Sequence, residues 1–177
     1  MKDLGVPLIA KETGAGISRD VAKALEKIGF SAIDVSGVGG TSFSAVEHYR
    51  REDSRGKLFW DWGIPTAIST IECLESTKLP VITSGGIRNG IEVAKALALG
   101  STACGMALPF LKEVSKGYKD VIRSVQDLKN EIKISMFLAG AEAVTHMKEK
   151  DVIITGLTKD WLEARGIDYK KYANRSS

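Results

Sequence analysis

The sequence predicts an α/β fold with a parallel sheet, and three observations support this. Four short runs are apolar at nearly every position, as in strands that are covered on both faces. Each run is followed by a loop that contains glycine, and helical spacing of apolar residues recurs between the runs. Ligands of such folds bind at the carboxyl ends of the strands, so the loops that follow the strands are the predicted location of a site.

The first two strands are predicted at Val6–Ala10 and Ser31–Val35. Between them, Ser18 has the residue type and position of a helix cap, and Gly29 is typical of a helix end. The apolar residues of this helix are spaced to form one face, and they are Val21, Ala22, Leu25 and Ile28.

The charged segment Glu47–Trp62 separates the second strand from a helix that starts near Pro65. It is long for a connection between a strand and a helix, and such connections are often lids or interface elements. A solvated surface loop is an equally good interpretation. Trp60 and Trp62 are expected to be packing or interface residues rather than a cage for a substrate.

The third and fourth strands are predicted at Pro80–Thr83 and Thr102–Met106, with the helix Ile91–Leu99 between them. From Ser115 to Lys150 the apolar residues follow helical spacing, which predicts a long helical region. The polar tail Lys170–Ser177 is expected to fray.

Composition excludes several classes of protein. Hydrophobic residues make up 44% of the 177 residues and the net charge is only +3, which favours neither disorder nor nucleic-acid binding. No apolar stretch is long enough to span a membrane and Met1–Gly5 resembles no signal peptide, so a cytoplasmic protein without membrane contact is expected. Cys73, Cys104, His48 and His146 lack the spacing of metal ligands or of catalytic groups.

The strongest local signal is the run Ser84–Arg88, which follows the third strand. Paired glycines let the backbone approach an anion, the next helix presents N–H groups and a positive dipole end, and an arginine can add a bidentate contact. The loop after the fourth strand would lie alongside. The predicted phosphate ligands are therefore Gly85, Gly86, Ile87, Arg88, Ala107 and Leu108, and glycines that only form tight turns are the alternative.

Two weaker signals follow the first and second strands. Lys11 comes at the end of an apolar run, where a charge is costly unless it is paired or hydrated, so it either faces a ligand or extends to the rim. The loop Gly37–Thr41 lacks the spacing of a dinucleotide fingerprint. Ser36 and Thr41 nevertheless offer hydroxyls to a flat ring or a phosphate.

Five segments together resemble the type 2 isopentenyl-diphosphate isomerases, which are FMN-dependent (β/α)₈ TIM barrels of isoprenoid biosynthesis. The order and spacing hold over almost the whole chain, and the stretch Asp-Trp-Gly-Ile-Pro-Thr makes the likeness specific. The likeness covers only the second half of the family, so residues 1–177 are expected to be the C-terminal half of one barrel domain, with strands five to eight. The segments are Lys11–Gly14, Asp34–Thr41, Asp61–Ala67, Ser84–Arg88 and Gly105–Pro109.

The resemblance implies an isomerase that interconverts isopentenyl diphosphate and dimethylallyl diphosphate, with reduced FMN as the acid–base cofactor. It also implies NADPH as the reductant and Mg²⁺ held by the other half of the barrel. Lys11 would lie beside the flavin ring, Ser36 and Thr41 would contact FMN, and the two phosphate loops would hold its phosphate. No residue of this chain is assigned a catalytic role.

The partners implied are the N-terminal half of the barrel and further copies in a homo-oligomer. The family usually has Asn-Trp where this chain has Ser42-Phe43. Two other functions remain open at this point. One is an FMN-dependent oxidoreductase of the same barrel group, although no histidine follows a predicted strand. The other is a non-catalytic half barrel that binds a phosphate ligand.

Overall fold

The computed structural model describes residues 5–51 and 54–175. The chain forms two compact units, of which the first ends at Gly86 and the second begins at Ile87. Both units combine helices with short strands, as the sequence predicts.

The first unit contains a parallel sheet in which β1 pairs with β2 and β2 pairs with β3. The register places Lys11 beside Asp34, and Asp34 beside Ile82. The carboxyl ends of three strands therefore lie next to one another. The elements of this unit are β1 (Ile9–Lys11), α1 (Arg19–Ile28), β2 (Ala32–Asp34), α2 (Phe43–Arg51), α3 (Arg55–Leu58), α4 (Thr66–Leu74) and β3 (Val81–Thr83).

Helix α1 has the predicted ends. The Ser18 side chain accepts a hydrogen bond from the Val21 N–H at 3.4 Å, and Gly29 closes the helix at φ +98°. The helix packs on the sheet through Ala22, which is fully buried. The core of this unit comprises Ile17, Ala22, Ile33, Val35, Cys73 and Val81.

The described part of Glu47–Trp62 contains the end of α2 and the whole of α3, so a loop without helix is wrong there, whereas most of its residues are exposed to solvent as a surface segment would be. In α2 the Glu47 carboxylate pairs with Arg50 and Arg51, one turn further along the helix. Trp60 packs edge-on against the His48 ring, with 5.7 Å between ring centroids. These contacts stabilise the helices although their apolar residues do not follow helical spacing, which is why the sequence pattern did not predict them.

The second unit has its core around α5, against which α7 and a 3₁₀ helix pack. Its buried residues are Val93, Ala94, Leu97, Ala98, Ala141 and Met147. The elements are α5 (Gly90–Leu99), β4 (Ala103–Cys104), α6 (Leu108–Val114), α7 (Tyr118–Leu138), a 3₁₀ helix (Val144–Glu149), α8 (Gly156–Ala164) and a second 3₁₀ helix (Lys170–Ala173).

The helical region predicted at Ser115–Lys150 is not continuous, because it consists of α7 and the 3₁₀ helix Val144–Glu149 with a break between them. Helix α7 ends at Leu138, and Gly140 then adopts φ +64° while its N–H bonds to the Phe137 carbonyl at 3.1 Å. Ala141 then enters the core of the unit. No helix among residues 5–51 and 54–175 is long and apolar enough to cross a membrane.

The C-terminal tail is ordered as far as the structure describes it, so the predicted fraying is wrong there. The Tyr172 ring is 1% exposed, and the Arg175 guanidinium lies 4.4 Å from its centre. The same guanidinium donates to the carbonyls of Ala98 and Leu99 at the end of α5, and to that of Lys148 at 2.9 Å. Ser176 and Ser177 lie outside the described residues.

Candidate functional site

The carboxyl edge of the sheet in the first unit carries the predicted ammonium group. Lys11 is the last residue of β1, and its side chain is 56% exposed. Its Nζ lies 3.6 Å from Asp34 Oδ2 and donates to the Glu12 carbonyl at 3.0 Å. The structure thus places Lys11 at a strand end with its charge facing outward, while its contact with a cofactor stays a prediction.

Asp34 and Ser84 extend this edge, and neither was predicted as a site residue although each begins a segment that the sequence singles out. Asp34 ends β2 and is 8% exposed, and Ser84 directly follows β3. The Ser84 hydroxyl donates to Asp34 Oδ1, so that the carboxylate is held between a hydroxyl and an ammonium. The signal in the sequence was a single acidic residue inside an otherwise apolar strand.

Ser36 has a strained backbone at the exit from β2. It is a buried non-glycine residue with φ +35°, a conformation that favours glycine. Its carbonyl accepts a hydrogen bond from the Gly16 N–H at 3.2 Å. Its hydroxyl makes no hydrogen bond to the residues that the structure describes. A strained residue with an unused hydroxyl at a strand end is a candidate ligand contact.

The glycines of the loops after β2 and β3 pack against one another. A Cβ on Gly85 would collide with the backbone of Gly37, and one on Gly86 with the backbone of Gly39. A Cβ on Gly40 would lie 2.9 Å from the Gly86 nitrogen. These glycines therefore have a structural reason to be present, which is the close approach of the two loops.

Thr66, the first residue of α4, joins the two loops. Its hydroxyl donates to the Gly85 carbonyl at 2.6 Å, and its N–H donates to the Val38 carbonyl at 3.2 Å. The loop after β2 is therefore fixed on two sides. Thr41, at the far end of this loop, is exposed and accessible to a ligand.

Glu12 shapes the loop after β1. Its Oε2 accepts hydrogen bonds from the N–H groups of Gly14 and Ala15, both at 2.5 Å, and of Gly16 at 3.2 Å. Three successive donors around one acceptor form the kind of concave site that binds anions. In this chain the carboxylate of Glu12 itself fills that site, which no sequence signal indicated.

A cavity of about 330 Å³ opens beside these loops, entirely within the first unit. Its wall includes Phe43 and the 73% exposed Trp62. The buried indole N–H of Trp60 has no acceptor among the described residues. The full wall consists of Glu12–Ala15, Val38–Ala45 and Trp60–Trp62.

The remaining predicted residues, Ile87, Arg88, Ala107 and Leu108, lie in the second unit. Ile87 packs against the core of that unit, and Arg88 and Leu108 are exposed. Ala107 precedes α6 and accepts its first backbone hydrogen bond, from the Leu111 N–H at 3.0 Å. That these residues act together with Gly85 and Gly86 stays a prediction.

The prediction of free N–H groups at the start of α5 is wrong at three positions. The Arg88 N–H donates to Glu92 Oε2 at 2.6 Å, and the Gly90 N–H donates to Glu131 Oε2 at 2.6 Å. The Asn89 side chain accepts from the Glu92 N–H at 2.9 Å. Side chains thus fill the donors of this helix end, because Glu131 on α7 and Glu92 on α5 reach back to it.

Neither cysteine is suited to nucleophilic chemistry. Burial, with a smaller contribution from the adjacent Glu72, raises the pKa of the Cys73 thiol to about 12, and burial raises that of Cys104 to about 11. Such thiols stay protonated near neutral pH. Within residues 5–51 and 54–175 no group of three His, Cys, Asp or Glu residues could hold a metal ion.

Comparison with known proteins identifies relatives that are about twice as long as this chain. A family model described as FMN-dependent dehydrogenase matches residues 2–154. The isopentenyl-diphosphate delta-isomerase of Methanothermobacter thermautotrophicus is 52% identical over 177 residues, which cover 99% of this chain and 51% of that protein. The enzyme of the same name from Pyrococcus furiosus is 52% identical over 174 residues, which cover 96% of this chain and 44% of that protein. The chain thus spans about half the length of the curated relatives it matches.

Solved structures of mandelate oxidase share the fold. The complex with 3,3-difluoro-2-hydroxy-3-phenylpropionic acid superposes with a TM-score of 0.64 at 21% identity, covering 86% of this chain and 41% of that one. The complex with benzoyl-formic acid gives 0.61 at 22% identity, over 83% and 39% of the two chains. The predicted α/β class with a parallel sheet is confirmed, and the partial coverage is consistent with half a barrel.

Proposed function

The chain belongs to the family of FMN-dependent dehydrogenases, and from that premise we propose that it is the C-terminal half of an FMN-dependent isopentenyl-diphosphate isomerase. The whole enzyme would interconvert isopentenyl diphosphate and dimethylallyl diphosphate. The observation that carries this proposal is the 52% identity to curated isopentenyl-diphosphate delta-isomerases over nearly the whole chain. The same stretch includes Lys11, Ser36 and the glycine loops.

The residues at the carboxyl edge of the first unit fit a flavin. The unused hydroxyl of Ser36 sits on a strained backbone, and the exposed ammonium of Lys11 ends the neighbouring strand. A flavin ring system offers carbonyl and ring-nitrogen acceptors to such donors. We assign Lys11 to the ring and Ser36 and Thr41 to hydrogen bonds with FMN.

We assign the phosphate group of FMN to the loops that follow the third and fourth predicted strands. Gly85 and Gly86 in the first unit, and Ile87, Arg88, Ala107 and Leu108 in the second, are the proposed ligands. The N–H of Arg88 already donates to Glu92, so we expect the guanidinium of Arg88 rather than its backbone to supply the attraction.

Reduced FMN, when bound, would supply the acid–base chemistry that moves a proton on the substrate, and NADPH would keep it reduced. The residues of this chain bind and orient the cofactor and set the local charge. Lys11 stabilises negative charge on the cofactor through its ammonium. The described residues provide no cluster of metal ligands, and the Mg²⁺ of the proposed enzyme would be held by the N-terminal half of the barrel.

The family model's description favours one other candidate, an FMN-dependent oxidoreductase. Such an enzyme needs a base that removes a proton from its substrate. The two histidines of this chain lie in α2 and in the first 3₁₀ helix, not at the end of a strand. That placement supports the isomerase over this alternative.

Titration with FMN of the chain combined with the N-terminal half of the barrel, followed by an anaerobic isomerase assay with reduced FMN and Mg²⁺, tests the proposal. Saturable binding with conversion of isopentenyl diphosphate supports it, and Lys11→Ala should lower FMN affinity while Lys95→Ala, an exposed lysine on α5, should not. Reduction of bound FMN by a 2-hydroxy acid would favour the oxidoreductase. Binding without turnover would favour the non-catalytic half barrel, and absence of binding would refute all three.

A further inference from the structure

Asp34 is an acidic residue in a strand that is otherwise apolar and buried. Its neighbours Ile33 and Val35 are fully buried, and Asp34 itself is 8% exposed. Removing a carboxylate from water is costly, and apolar residues at such positions are often at least as stabilising. Packing alone therefore does not account for an acid at this position.

The carboxylate of Asp34 is held at both oxygens. Oδ1 accepts the Ser84 hydroxyl, and Oδ2 lies 3.6 Å from Lys11 Nζ. The strand register brings Lys11 and Asp34 side by side, and Ser84 follows the next strand. The three groups thus form a row across the ends of adjacent strands, with the carboxylate in the middle.

The row is buried at one end and open at the other. The Asp34 side chain is 12% exposed, whereas that of Lys11 is 56% exposed. A long lysine side chain in water samples many rotamers and loses that freedom when it contacts a ligand. A fixed carboxylate beside the ammonium removes part of this freedom beforehand, which favours ligand binding.

We propose that Asp34 is a positioning residue that acts through Lys11: it holds the ammonium at the strand ends, where it meets a negatively charged group of the ligand. Ser84 orients the carboxylate. The identity of the ligand, the anionic edge of reduced flavin, rests on the proposed function, whereas the geometry of the row does not.

Competitive acetylation of the full chain, read by mass spectrometry, tests the row without a cofactor. In Asp34→Asn we expect the labelling rate of Lys11 to rise about two- to fivefold, the range for loss of a partly exposed ion pair. The rate of Lys95, on α5 in the second unit, serves as the internal control and should not change. An unchanged Lys11 rate in Asp34→Asn would overturn the proposal.

A double-mutant cycle on the FMN-loaded protein tests the effect on the ligand. The quantity measured is the ratio of the dissociation constants for oxidised and reduced FMN. Asp34→Asn should lower this ratio about fivefold in the wild-type background and less than about 1.5-fold in Lys11→Ala, because the effect passes through Lys11. Asp34→Glu keeps the negative charge, so its ratio of dissociation constants should return most of the way to the wild-type value.

Two other results of the cycle would contradict a positioning role. An equal loss in both backgrounds would mean that Asp34 acts on the fold or directly on the ligand. A higher ratio in Asp34→Asn would mean that Asp34 merely neutralises Lys11. If the wild-type chain binds no FMN even with the N-terminal half of the barrel present, the proposed function fails, and the acetylation rates still decide whether Asp34 restrains Lys11.

Discussion

Replacing Ser36 by glycine should stabilise the chain and weaken FMN binding at the same time. Ser36 holds φ +35°, a left-handed conformation that costs a non-glycine residue about 1–2 kcal/mol. Glycine removes that cost but loses about 0.5–1 kcal/mol through its larger freedom in the unfolded chain. The Ser36 hydroxyl has no hydrogen bond to lose among the described residues. The free energy of unfolding should therefore rise, by up to about 1.5 kcal/mol.

The same substitution removes the hydroxyl that we assign to FMN. Loss of one such hydrogen bond corresponds to about a fivefold weaker FMN affinity. Urea denaturation of the apo chain measures the first effect, and quenching of FMN fluorescence measures the second. Ser36→Ala is the matched control, since it loses the hydroxyl but keeps the strained backbone, so only the FMN affinity should fall.

The opposite pattern would refute this reasoning. If Ser36→Gly lowers the free energy of unfolding, then the conformation at Ser36 is not a source of strain. If Ser36→Gly and Ser36→Ala both bind FMN as tightly as the wild type, then the Ser36 hydroxyl does not contact the cofactor.

Three further outcomes are expected. Burial raises the pKa of Cys73 from 9.0 to about 12 and that of Cys104 to about 11, so the unfolded chain loses these protons at lower pH than the folded chain does. The free energy of unfolding should therefore fall as pH rises from 9 towards 12. Urea denaturation at several pH values measures this dependence, and Cys73→Ala should make it weaker. Arg175→Ala should lower the free energy of unfolding by about 1–3 kcal/mol, because the carbonyls at the end of α5 lose their charged donor; an unchanged thermal midpoint would contradict this. Gly86→Ala should lower the midpoint of thermal unfolding more than Gly29→Ala. Both glycines have positive φ, but only a Cβ on Gly86 would collide with another loop. Equal decreases in the midpoint would show that backbone strain alone matters.

Elements with local signals were predictable from the sequence. Helix α1 has both of its ends where Ser18 and Gly29 predict them, because a cap and a left-handed glycine act over a few residues. Helix α7 shows the limit of this approach. Apolar spacing continues beyond Leu138, and only the turn at Gly140 and the burial of Ala141 in the core decide where the helix ends.

The candidate site was predictable only in part, and for the same reason. The position of Lys11 follows from its place after an apolar run. The hydrogen-bond partners that define the site come from distant parts of the sequence. Ser84 bonds to Asp34, and Glu131 bonds to Gly90. No spacing rule relates such residues, since only folding brings them together.

The carboxyl edge of the first unit presents an exposed cation to solvent, although two of the three charged groups described there are acids. The Glu12 carboxylate is turned onto three backbone N–H groups of its own loop, and the Asp34 carboxylate is held by Ser84 and Lys11. A carboxylate whose oxygens are already bound by donors repels an approaching anion less, because those donors offset its charge. The ammonium of Lys11 keeps the largest exposure to solvent of the three groups. A negatively charged ligand at this edge therefore meets the cation first, which is the arrangement that the proposed contact with an anionic reduced flavin needs.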